Sequence, residues 1–124
     1  MTAISFGSFA ASILPLMKHA SQEVRDDLTL IWHHYRRGQV LYNDLITNPH
    51  RSDEALACLT RCLEFHGRVW EGIRQLEANP AEEDVTLMAL KVKRILSEMH
   101  RDALEMSVQA ALAEELIWKI GVPC

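Results

Sequence analysis

AEEDVTLMALKVKRILSEMHRDALEMSVQAALAEELIWKI, residues 81–120, contains neither glycine nor proline, and its reading decides the fold. Taken at alternating steps of four and three, Val85, Ala89, Val92, Leu96, Met99, Ala103, Met106, Ala110, Ala113, Ile117 and Ile120 are all apolar. That is the repeat by which a helix lays one seam against its neighbours, here sustained for about five heptads. Asn79 as N-cap, Pro80 at the first helical position and Glu82 three residues after the cap open the segment, and Gly121 with Pro123 closes it. The pattern predicts one helix of about 40 residues, roughly 60 Å long at 1.5 Å per residue. A single domain of 124 residues is only about 35 Å across. Such a helix therefore overhangs its own domain and meets a partner, or else breaks near His100 to Asp102 and folds back within a monomeric bundle.

A second row, Leu104, Val108, Leu112 and Leu116, widens the apolar arc beyond a single seam, while Arg94, Glu98, Arg101 and Glu105 form the solvated side through three- and four-residue pairs. Two apolar rows imply two packing partners. One row faces the helices of the same chain, and the other faces a second copy or a foreign protein, so a homodimer is expected. The four seam alanines at 89, 103, 110 and 113 call for close helix approach.

Outward from this segment the periodicity stays helical, and no stretch combines strict alternation with β-branched enrichment, so the expected fold class is all-α, a helical bundle with a long C-terminal helix. Ser21 caps a helix of about 25 residues running to Ile46, ended by Thr47, Asn48 and Pro49. Its stripe reads Val24, Leu28, Ile31, Tyr35, Gly38, Tyr42 and Leu45. A glycine there costs about 1 kcal/mol against alanine, so Gly38 marks either the close approach of another helix or a bend. Ser52 caps the next helix, with Asp53 and Glu54 in its first turn, and this helix runs to about Ala78. Its stripe is read as Leu56, Leu59, Leu63, His66, Trp70 and Ile73, widened by Cys62, Val69 and Leu76. His66 on that face is either a core histidine bonded to a neighbouring helix or a ligand or pH-responsive group.

Residues 1–20 form an apolar arm or short helix ahead of a single helical domain, 21–124. Ile4, Phe6, Phe9, Ile13, Leu14, Leu16 and Met17 seek burial, on the parent bundle or on a partner chain. The first charged side chain is Lys18, so the opening lacks the positive region of a secretory signal, and its apolar run is too short and interrupted to span a bilayer. Three cysteines, Cys58, Cys62 and Cys124, with no CxxC spacing, fit a reducing cytoplasm, and Cys58 and Cys62 read as small apolar helix residues.

The chain is 48% apolar and 24% charged with a net charge of -4. That balance describes an ordinary globular protein whose overall field opposes nucleic acid and anionic membrane. The run His33, His34, Tyr35, Arg36, Arg37 and Gly38 is the local exception: a solvated basic helix face or a contact for an acidic protein, ahead of a phosphate contact that the net negative chain opposes. Six histidines raise the question of a metal, but no HxxxH or ExxH spacing occurs, and adjacent His33 and His34 diverge by about 100° on a helix. No glycine-rich elbow or phosphate loop positions a nucleophile. Neither an enzyme nor a cofactor is expected.

Glu105-Met106-Ser107-Val108-Gln109, then Leu116-Ile117 and the ending Gly121-Val122-Pro123, resemble the last helix and tail of TraM-type quorum-sensing antiactivators. The resemblance, shared in kind with the QslA type, implies a small all-helical cytoplasmic dimer that binds a LuxR-type transcription factor and blocks its action without catalysis. On that reading the partner or dimer surface comprises Leu104, Val108, Leu112, Leu116, Ile117 and Trp118. The alternative is another helical interaction module, such as a secretion chaperone, a phage inhibitor or an adaptor.

Overall fold

The computed structural model describes residues 6–18, 20–49, 52–78 and 85–121, and the side chains of these except at 6–8, 85–88 and 119–121. They form four helices: α1 (Phe6–Lys18), α2 (Gln22–Leu45), α3 (Asp53–Ala78) and α4 (Val85–Gly121). The expected caps of α2 and α3 are in place. Ser21 Oγ accepts from the Val24 N–H at 3.4 Å, and Ser52 Oγ accepts from the Ala55 N–H at 3.1 Å, each satisfying a donor that the first helical turn leaves open. The cap expected at Asn79 and Pro80 lies outside the described residues.

α4 runs unbroken through His100, Arg101 and Asp102, which removes the folded-back alternative. Its 37 residues span about 55 Å. α2 with 24 residues and α3 with 26 reach only about 36 and 39 Å. The excess stands at the amino-terminal end, where the seam position Ala89 is exposed and Leu90 is 60% exposed. From Leu96 onward the seam closes: Leu96, Met99, Ala103, Met106, Ala110, Ala113 and Ile117 are all buried. Both α2 and α3 pack along α4 and barely touch one another, while α1 lies over the gap between them.

Close approach to α4 is built into both neighbours. A Cβ on Gly38 of α2 would stand 2.8 Å from Met106 Cγ and 3.1 Å from backbone atoms of Met106 and Ser107. Gly38 thus marks an approach of two helices. The same device recurs at Gly72 of α3, whose missing side chain makes room for Met99.

The buried face of α3 is rotated from the one its hydrophobicity predicts. Ala55, Cys58, Leu59, Cys62, Val69, Gly72 and Ile73 are buried, whereas Leu56, Leu63 and Trp70 lie on the flank, partly exposed. The alanine-rich seam of α4 draws the helix axes together, so Ala55, Cys58 and Gly72 are taken inward beside Leu59, Cys62, Val69 and Ile73, which the stripe expected from the sequence already includes. The larger residues then cover the edges.

The amino-terminal arm is a helix folded onto its own bundle. Phe9 and Ile13 are fully buried and Leu16 and Met17 partly so, while Leu14 is 55% exposed. Ile4 and the side chain of Phe6 lie outside the described residues. No described helix is long and apolar enough to cross a membrane.

Candidate interaction surface

Once the seam is buried, a helix as long as α4 has one side left over. Leu104, Val108 and Leu112 occupy it at 39%, 40% and 42% exposure, and Trp118 follows at 66%. Their spacing of four keeps the first three on one strip of helix surface. Leu116 is half-buried at the edge of the bundle. Ile117 departs from the expected surface, because it is 6% exposed and belongs to the core. It continues the seam four residues after Ala113, so it turns inward where Trp118, about 100° further round, turns out.

The flank of α4 that meets α3 is polar where it emerges. Arg61 Nε of α3 donates to Gln109 Oε1 at 2.9 Å. The flank that meets α2 is grooved. One groove, of about 440 Å³, is lined by His33, Arg36, Arg37, Val40, Leu41 and Glu114. A second, of about 330 Å³, is lined by Asp27, Leu30, Leu96, Ser97 and His100. Leu30 and Val40 add exposed apolar area there, at 49% and 44%. Of the basic run seen in the sequence, His33, Arg36 and Arg37 therefore stand on the solvent face of α2, beside the apolar strip of α4, His34 is half-buried, and Tyr35 and Gly38 face the core. Across this flank the rings of His34 and His100 meet edge to face at 5.3 Å. Burial, then the neighbouring His100, His33 and Arg37, hold the His34 imidazole below its ordinary range.

Behind the surface an aromatic cluster fills the gap between α2 and α3. Trp70 Nε1 donates to the Tyr35 hydroxyl at 3.2 Å, and that hydroxyl lies 2.9 Å from His66 Nδ1. An indole N–H can only donate. With the phenol accepting from Trp70, its own proton suits His66 in the neutral tautomer whose Nδ1 is the acceptor. Burial pushes the Tyr35 phenol up to about 12, so the donating proton is retained, and burial holds the His66 imidazole below its usual range. Phe9 of α1 stacks on Tyr35 at 3.9 Å between centroids and meets Trp70 edge-on at 5.7 Å. His66 is thus a half-buried histidine bonded to a neighbouring helix.

Cys58 and Cys62 are both buried free thiols. Burial pushes the Cys62 thiol up to about 12, and the thiolate is the reacting form. In a native-state titration with an aromatic disulfide reagent Cys62 is expected to stay silent, and to react at the rate of a free thiol once denaturant is added. Prompt native labelling at Cys62, read by peptide mapping, would contradict this burial.

Among the described residues no group of three His, Cys, Asp or Glu side chains is placed to hold a metal. No family model, curated protein or solved structure matches the chain.

Proposed function

We propose that the chain is a non-enzymatic binding protein that inhibits a LuxR-type quorum-sensing transcription factor by covering surface the regulator needs for pairing or for DNA. The observation that carries the binding role is the exposed strip Leu104, Val108 and Leu112 with Trp118 on the longest helix. Apolar side chains at successive turns are the anchors by which one helix is read by a groove or a second helix. The basic solvent face of α2 beside that strip adds a complement for acidic residues at the rim of a partner. The tail resemblance to TraM-type antiactivators supplies the class of partner. In this reading the chain works as a homodimer, with the overhanging first turns of α4 as the stretch a second copy covers.

The test pairs the purified chain with the LuxR-type regulators of its own organism and follows complex formation by light scattering and loss of DNA binding by the regulator. One regulator is expected to form a complex and release its DNA. Leu112→Glu and Trp118→Glu place a charge in the contact and should abolish the complex, while helicity and melting temperature change little because both side chains already stand in solvent. Retained binding in both variants would discard this face. Failure of every regulator to bind would discard the antiactivator and favour a helical adaptor of another partner.

A further inference from the structure

Between α3 and α4, beside the close approach at Gly72, lies a cleft of about 340 Å³ whose wall carries Arg68, Glu71 and Gln75 of α3 and Glu98, Arg101 and Asp102 of α4. Asp102 sets it apart. The residue is 5% exposed, and its Oδ1 is buried without a hydrogen-bond partner. Neither nearby arginine satisfies that oxygen. Arg101 Nη2 stands 3.8 Å away on a side chain that is 69% exposed, beyond hydrogen-bond reach. Arg68 lays its guanidinium 5.0 Å over the ring of Phe65. Glu71, for its part, is engaged by Arg74 at 3.1 Å. A carboxylate oxygen withdrawn from water, with a cation at 3.8 Å but no hydrogen-bond donor, is costly, and the cost is relieved by a donor that reaches it once the Asp102 side chain turns toward the cleft.

We propose that this cleft is a recognition site for a guanidinium group, held by Asp102 with Glu98 one helical turn before it. A guanidinium presents five N–H donors in a planar fork, enough to serve both carboxylates at once. The cleft's volume sits at the small end of the range for ligand pockets. It suits one side-chain-sized head. The titratable groups facing Asp102 are Arg68 and Glu71 from α3 and Glu98 and Arg101 from α4. Burial, assisted by Glu98 and opposed by Arg101 and Arg68, raises the Asp102 carboxyl above its ordinary range. An entering cation reverses that, so binding lowers the carboxyl's titration midpoint and weakens as pH falls through it. The site lies on the α3 flank of α4 and does not rest on the reading of the outer strip.

The experiment titrates the full chain with N-acetylarginine amide, a single guanidinium without a free carboxylate, while amide and carboxyl resonances are followed by NMR. Saturable shifts centred on Gly72, Met99 and Asp102 are expected, with a fall in the Asp102 midpoint. N-acetylcitrulline amide, isosteric and uncharged, should bind at least about tenfold more weakly, as should the variant Asp102→Asn, since a charge-assisted pairing is lost in each. Glu98→Gln, on an exposed position, provides a second variant expected to weaken binding should Asp102→Asn disturb the fold. Free arginine binding more tightly than the amide assigns the site to a free small molecule, and equal or weaker binding assigns it to an arginine side chain on a protein partner. Absence of saturable shifts, equal binding of the citrulline analogue, or undiminished binding in both variants overturns the proposal.

Discussion

Gly38→Leu is expected to lower stability by about 4 kcal/mol, a large share of the 5–15 kcal/mol that holds a domain together. The first added atom already meets Met106 Cγ at 2.8 Å and two backbone atoms of α4 at 3.1 Å. Met106 is fully buried at the centre of the seam, so its Cγ has nowhere to swing, and the backbone behind it moves only if α4 moves as a body. Even Gly38→Ala should lose about 1–2 kcal/mol, because overpacking outweighs the roughly 1 kcal/mol of helix propensity that alanine brings. Gly67 provides the internal control. A Cβ there meets nothing within 4 Å, so Gly67→Ala should gain about 0.5–1 kcal/mol from propensity alone. At about 4 °C per kcal/mol, the two alanine variants should move the melting temperature in opposite directions. If Gly38→Ala melts at or above the parent, the close approach of α2 and α4 is not what the glycine serves.

The contrast between these glycines also marks what was legible in the sequence. Gly38 could be read because it interrupts an apolar stripe, where the missing side chain needs a reason. Gly72 escaped notice because the stripe assigned to α3, right at Leu59, Cys62, Val69 and Ile73, was also drawn through the large residues Leu56, Leu63 and Trp70. Hydrophobicity ranks those above Ala55 and Cys58, but the distance between two helix axes is set by the smallest side chains between them. The four alanines on α4 already announced a short distance; carrying that requirement over to α3 would have placed its small residues inward. The unbroken course of α4 and its overhang followed from period and length alone, since both are properties of the segment itself.

The surface residues were legible to the extent that their angle around the helix was respected. Leu104, Val108 and Leu112 form a row distinct from the seam and emerge in solvent. Ile117 belongs to the seam repeat as well, and burial followed the seam. Asp102 was unreadable as a buried group because a carboxylate in a helix is ordinarily assigned to water. The signal lay in its row: seven residues either side stand Ile95, which is buried, and Gln109, which is bonded to α3. A position between two such neighbours faces α3 whatever its charge.

Tyr35→Ala should be the other severe substitution, lowering stability by about 5 kcal/mol. Removal of a fully buried aromatic costs about 3–5 kcal/mol in lost contact and cavity, and further loss follows from the groups left behind. The Trp70 N–H and His66 Nδ1 both forfeit the phenol as partner, and Phe9 forfeits the ring on which it stacks, so α1 loses its clasp on the bundle. Tyr35→Phe separates these contributions. It keeps the stack and deletes the hydroxyl, for an expected loss of about 1–3 kcal/mol. The same bond has a pH signature. Because His66 is held below its ordinary value in the folded chain, the unfolded chain binds the proton more readily. Stability is therefore full above about pH 6.5 and declines as pH falls from there through the lowered folded value. Protonation puts a hydrogen on Nδ1, facing a hydroxyl that already accepts from Trp70 and has then to aim its own proton elsewhere. His34 titrates in the same direction, whereas Asp102, raised by burial, adds stability as pH falls through its folded value toward the unfolded one, in a window above about 3.8. Urea denaturation at pH 7.5 and 5.5 should show the parent weaker at the lower pH and His66→Gln, which lacks the titrating group, with a smaller difference. An equal difference in that variant would place the acid sensitivity elsewhere and remove His66 as its source.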